Sequence, residues 1–201
     1  MQPYMFIGVG GSGGKTLRYI WRELERQLVA AGWDKPHLPS CFGFLHIDLP
    51  HTYDGGGEAD IPVVKDLETS YYIGLGDKGI PYADYDRRAS EGDRIEGFAR
   101  WRPWDPKRLP SPSRGAGQRR AVGRVVSVLA LREITAAVTE SMNALATGDA
   151  RSDLRALATL MPNGDVFQGD GHVVIIGSLA GGSGSGIILD VVEAVANATT
   201  T

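Results

Sequence analysis

Ala180-Gly181-Gly182-Ser183-Gly184-Ser185-Gly186 decides how this sequence folds, because of what stands on either side of it. Before it, Val173-Val174-Ile175-Ile176 reads as a strand buried on both faces, as parallel strands are. After it, Ile187 to Ala196 begins a helix. A loop of small residues between strand and helix is the grammar of phosphate-binding α/β folds. Its backbone N–H groups form an anion nest at a helix N-terminus, and small side chains let the anion come close. A Gly/Ser linker has the same composition, but linkers do not stand between a buried strand and an amphipathic helix.

The same grammar opens the chain. Tyr4-Met5-Phe6-Ile7 predicts a strand, Gly8 to Gly14 a second glycine loop, and Leu17, Ile20, Trp21, Leu24 and Leu28 the apolar face of a helix ending near Gly32. Arg18, Arg22, Glu25 and Arg26 fall on its other faces. Gly8-Val9-Gly10-Gly11-Ser12-Gly13 satisfies G-x-G-x-x-G, the dinucleotide fingerprint. The acid that should follow about 20 residues later could only be Asp48, well beyond that spacing. Gly14-Lys15-Thr16 imitates the end of a P-loop, yet Val9 stands where that motif needs its first glycine. Lys15 reads equally well as a phosphate contact and as a solvated residue of the first helical turn.

Between the two loops the signals are mixed. Phe42 to Ile47 predicts a second strand closing on Asp48, and His46 and Cys41 read as packing residues because no second ligand lies at a zinc spacing. Residues 50 to 114 hold seven of the eleven prolines together with Gly55-Gly56-Gly57, Trp101 and Trp104, and predict an irregular, partly mobile surface insertion. Within it, Tyr71-Tyr72-Ile73 could be a short strand or a helix end. Gln118 to Thr147 predicts the longest helix, stopped by Gly148, and Asp153 to Leu160 a shorter one.

The Ala180 to Gly186 heptapeptide resembles the signature loop of the tubulin and FtsZ superfamily, with Ser183 in the threonine position. Gly8 to Gly14 resembles the first phosphate loop of that family, with Lys15 where FtsZ carries asparagine. Ile47-Asp48-Leu49 resembles the end of the tubulin second strand, where acidic groups lie near nucleotide-bound magnesium; Pro50 takes the glutamate position, so only Asp48 carries over. Gly115-Ala116-Gly117-Gln118-Arg119 resembles the loop that senses the terminal phosphate, with Gln118 and Arg119 replacing asparagines. Arg119 or Arg120 would add a charge-assisted contact there, or form a solvated helix start. Four matches in the family's order carry the resemblance, and the Gly115-Ala116-Gly117-Gln118 loop and long insertion, which are not FtsZ features, make it nearest to the divergent bacterial tubulin-like proteins.

The resemblance implies an α/β fold: a three-layer, Rossmann-like, mostly parallel sheet with helices on both faces. Residues 1–201 would form the N-terminal part of the family's nucleotide-binding domain, an incomplete tubulin-type domain. It implies GTP or GDP with Mg2+ held through the nucleotide, and filament assembly coupled to hydrolysis. Site residues would be Gly10, Gly11, Ser12, Gly13, Gly14, Lys15, Asp48, Gly115, Ala116, Gly117, Gln118, Arg119, Ala180, Gly181, Gly182, Ser183, Gly184, Ser185 and Gly186. No residue matches the family's catalytic acid, which acts from a neighbouring subunit. Valine at Gly182 or Gly184 is expected to block nucleotide with smaller effects on folding.

Composition narrows the partners. Twenty-one Lys and Arg against 24 Asp and Glu leave a net charge of −3, which disfavours nucleic acid. The apolar runs are too short to cross a membrane. A single cysteine and the lack of a leader-like opening favour a reducing, cytoplasmic setting. The 50–114 insertion is a possible protein-binding surface.

Overall fold

The computed structural model describes residues 1–52, 70–91, 95–161, 164, 166 and 171–198. Four strands, β1 (Tyr4–Val9), β2 (Phe42–Asp48), β3 (Ser70–Gly74) and β4 (His172–Gly177), form one parallel sheet in the order β3-β2-β1-β4. Tyr4 lies opposite both Phe42 and His172, and Val9 opposite both Ile47 and Gly177. The strands therefore finish on one edge, to which both glycine segments are delivered.

Period-2 alternation splits the strand residues between two cores. Met5, Ile7, Val9, Leu45 and Ile47 face a cluster built with α2 (Tyr82–Glu91), α4 (Arg120–Leu129), α5 (Leu131–Ala144) and α7 (Gly182–Ala198). Tyr4, Phe6, Phe42 and Phe44 face the other, built with α1 (Gly10–Ala30) and α6 (Gly148–Leu160). Helices thus cover both faces, giving the expected three layers.

Several boundaries differ from the sequence reading. Helix α1 starts at Gly10, directly after β1, so Gly10 to Gly14 are its first turns and not a loop before it. Arg18 is buried instead of facing away. The helix expected over Gln118 to Thr147 is two helices meeting at Ala130, whose φ of −102° and ψ of 15° leave the helical range. The longest helix is α1. Gly148 is the first residue of α6, where the Thr147 hydroxyl accepts a hydrogen bond from the Ala150 N–H at 3.3 Å. Strand β4 is not buried on both faces: it pairs only with β1 among the described residues, and Val174 is 36% exposed.

The greatest departure lies in residues 70–114. Tyr71-Tyr72-Ile73 belongs to β3, and Tyr82, Tyr85, Ala89, Ile95, Phe98 and Leu109 enter the core. Their spacing is helical around 82–89, but the prolines and glycines on either side disguise it. The short helix α3 (Phe98–Trp101) and single 3-10 turns at Pro106–Arg108 and Pro112–Arg114 carry the chain onward to α4. Gly55-Gly56-Gly57 lies outside the described residues.

Candidate functional site

Three stretches of backbone meet at the C-terminal edge of the sheet. Gly10 adopts φ +73°, turning the chain from β1 into α1, and a Cβ placed on it would lie 2.6 Å from the Gly184 N. A Cβ on Gly184 would lie 3.0 Å from the Val9 carbonyl oxygen. The start of α7 thus rests on the start of α1 with no side chain between them. A Cβ on Gly182 would lie 2.5 Å from the Arg119 N and 2.7 Å from the Ala116 methyl, which brings the 115–119 turn to the same place. The Arg120 guanidinium donates to the Leu179 carbonyl at 3.3 Å, a second tie between this turn and the last glycine segment.

The electrostatics follow from what these helix starts lack. Neither α1 nor α4 has a side-chain N-cap bond, and the first turns of α1, α4 and α7 contain no acid. By contrast α2, α5 and α6 carry Asp84, Glu133 and Asp149 in their first turns. An acid or a cap would neutralise the partial positive charge of a helix start. The converging starts of α1, α4 and α7 leave it for another group.

Asp48, the last residue of β2, approaches this mouth. Its Oδ1 accepts from the Leu49 N–H at 2.7 Å, and its Oδ2 lies 3.8 Å from where a Gly11 Cβ would stand. His46, two residues earlier on the same face of β2, places Nε2 3.2 Å from the Gly10 carbonyl and 4.0 Å from Asp48 Oδ2. Burial, with a smaller contribution from the Arg18 charge, pulls its pKa down to about 4 against the raising effect of the Gly10 bond. His46 is therefore neutral near pH 7 and donates Nε2–H to Gly10. The packing role expected for it and for Cys41 holds, since both are buried. The bond to Gly10 could not be read from sequence, although an i, i+2 pair of His46 and Asp48 at the end of a strand was the available signal.

The remaining candidates separate into a rim and a packed layer. Gly11, Ser12, Gly117, Gln118, Arg119 and Ala180 are exposed, with Gly115, Gly181 and Ser183 half-buried beside them. Gly13, Gly14, Ala116, Gly182, Gly184, Ser185 and Gly186 are buried. Gly14 makes room for the His46 ring, Ser185 donates its hydroxyl to the Gly181 carbonyl, and a Cβ on Gly186 would lie 2.5 Å from the Arg124 N. The expectation that valine at Gly182 or Gly184 would have smaller effects on folding than on binding is therefore corrected, because the side chain would strike the backbone at the start of α4 from Gly182 and the Ser178 and Val9 carbonyls from Gly184. Lys15 sits in the second turn of α1 with its ammonium 5.9 Å from the Tyr19 ring centre, and the Thr16 hydroxyl donates to the Ser12 carbonyl at 3.0 Å. This is not the arrangement of a P-loop lysine and its magnesium-binding hydroxyl.

Gly117 and Gln118 are consecutive left-handed residues, with φ of 54° and 64°. Gln118 is the one non-glycine residue with positive φ among the described residues. Such backbone costs about 1 kcal/mol or more and is concentrated at ligand clamps and switches. No group of three or more His, Cys, Asp or Glu side chains able to hold a metal exists among the described residues.

A family model described as tubulin-like matches residues 5–200. The chain belongs to the tubulin-like family. No curated protein and no solved structure matches it. Among the described residues, no helix of this tubulin-like protein is long and apolar enough to cross a membrane.

Proposed function

We propose that the tubulin-like chain binds the phosphates of a nucleotide, GTP or GDP with Mg2+, at the mouth formed by Gly11, Ser12, Gly117, Gln118, Gly181 and Ser183. The observation that carries this reading is the convergence of three acid-free helix starts, α1, α4 and α7, on one sheet edge. Their N–H groups supply the donors, and Arg119 the mobile charge. Magnesium would arrive with the nucleotide, with Asp48 facing it. In the full-length protein the nucleotide would govern self-association into cytoplasmic filaments, with hydrolysis completed by the neighbouring subunit.

A second reading, a dinucleotide site, draws support from Asp48. The acid that reads a ribose in such folds stands at the tip of the second strand, and Asp48 ends β2 beside Gly11. That reading gives the α4 turn and the start of α7 no task. Competition of GTP, ATP and NAD for a fluorescent guanine nucleotide on the full-length protein tests both. Displacement by GTP is expected to be the most effective; preferential displacement by NAD would reassign the mouth to a dinucleotide.

A further inference from the structure

Four of the first five residues of α1 are glycine: Gly10, Gly11, Gly13 and Gly14. Glycine is the poorest helix former after proline, so this turn holds its own shape weakly. The peptide joining Gly10 to Gly11 has no Cβ on either side, and Gly10 already stands at φ +73°. Little within the segment resists rotation of that peptide plane. Its orientation matters at the mouth, because a trans peptide holds its C=O and N–H on opposite sides. With the Gly10 carbonyl turned inward, the Gly11 N–H faces outward as a donor for an anion. Turned the other way, the plane presents a carbonyl oxygen to the anion and repels it.

His46 takes hold of the inward carbonyl. Its Nε2 stands 3.2 Å from the Gly10 oxygen. A carbonyl only accepts, so Nε2 carries the proton and donates it. The Asp48 carboxylate does not compete for that proton, since its Oδ2 lies 4.0 Å from the same nitrogen, beyond hydrogen-bond distance. The ring has little freedom to turn away. It lies against the Cα of Gly14, where a Cβ would overlap it, and meets the Tyr72 ring edge-on at 5.0 Å between centres. Tyr72 is the β3 residue opposite His46 and is itself tied down, its hydroxyl donating to the Pro50 carbonyl at 2.5 Å. His46 is 4% exposed, so water does not stand in for it at Gly10. On the outer side of the peptide, Gly11 is exposed and no side chain caps the helix start. An apolar side chain would pack β2 at lower desolvation cost; what the imidazole adds is a donor aimed at one carbonyl.

We infer that His46 is a positioning residue of the phosphate site, fixing the Gly10–Gly11 peptide so that the Gly11 N–H points at the anion, with Tyr72 bracing the ring. This rests on the phosphate binding proposed above and assigns to it a side chain that touches no ligand. Gly14 belongs to the same device, because any side chain there would displace the ring.

A matched pair of variants of the full-length protein tests the assignment. His46→Gln places an amide N–H donor as many bonds from Cα as Nε2, and His46→Met has nearly the same length and volume without the donor; both lose the ring contact with Tyr72. In calorimetric titration with GDP, His46→Gln is expected to bind within about threefold of wild type and His46→Met about tenfold more weakly. Equal affinities for the two variants, high or low, overturn the inference, since packing and not the donor would then decide. A second measurement needs no variant at position 46. In wild type labelled with 15N-glycine, the Gly11 amide resonance, assigned through Gly11→Ala, is expected to shift on addition of GDP. A Gly11 amide that GDP leaves unmoved also overturns the inference. Both of these failures leave GDP binding by wild type in place, whereas a wild type that binds no GDP removes the phosphate site and this assignment together.

Discussion

Gly11 and Gly14 are three residues apart in one helix and have opposite reasons to be glycine. A Cβ at Gly11 would meet only Asp48, at 3.8 Å, whereas one at Gly14 would enter the His46 ring. Gly11→Ala is expected to leave stability unchanged or raise it by up to about 1 kcal/mol through helix propensity, while weakening nucleotide binding. Gly14→Ala should cost about 2 kcal/mol through overpacking. Urea unfolding and nucleotide titration of both variants check the pair. Gln118→Gly should relieve left-handed strain and stabilise by about 1 kcal/mol, while lowering nucleotide affinity through loss of the amide. A Gln118→Gly variant less stable than wild type would show that the side chain, and not the backbone, sets this turn. Sequence identifies all of these residues as glycines or amides of phosphate loops. It does not separate rim from packed layer, because that depends on which neighbours β2 and α4 supply.

At the scale of elements, α4 crosses α7 at Gly123, Gly182 and Gly186. A Cβ on Gly123 would strike the Gly182 carbonyl, and one on Gly186 would lie 2.6 Å from the Gly123 carbonyl carbon. Gly186→Ala is expected to destabilise by about 2 kcal/mol and to weaken nucleotide binding only in proportion to unfolding, as read by thermal melts beside titration. The signature motif is legible as a loop in sequence because it contains no apolar residue to reveal a helical face, yet its last five residues are helix. The apolar period running unbroken through Ala130 likewise hides the boundary between α4 and α5.

The tie from β2 to α1 has its own pH dependence. His46 has a pKa lowered to about 4 in the fold from the usual 6.5, so the unfolded chain takes up a proton first as pH falls. Its contribution is complete above pH 6.5 and is lost progressively between 6.5 and 4, by about 3 kcal/mol in all. His46→Gln should flatten that part of the stability profile, measured by urea unfolding at pH 7, 5.5 and 4.5. An unchanged slope would place the titration elsewhere.

For the whole molecule, the parallel order of β1, β2 and β4 and the edge at which they end follow from two glycine segments each preceded by a strand. The contribution of residues 70–114 to the core did not follow, because Tyr82 and Tyr85 are single aromatics in a stretch whose prolines dominate its composition. Ligand linkage reports on the assembled site. GTP at 100 times its dissociation constant should raise stability by about 2.7 kcal/mol. Gly11→Val should abolish that gain in a folded protein, and a gain that persists would move the phosphates away from the start of α1.

The sheet order imposes a constraint on biosynthesis. β1 is made long before β4, which completes one of its flanks with Tyr4 opposite His172. The growing chain must therefore carry an open, apolar strand edge until β4 has been made. Ring closure over so long a span is entropically slow, and exposed strand edges invite pairing with other chains. Yield of this protein should therefore depend on translation rate and on chaperones that shield β1 until β4 arrives.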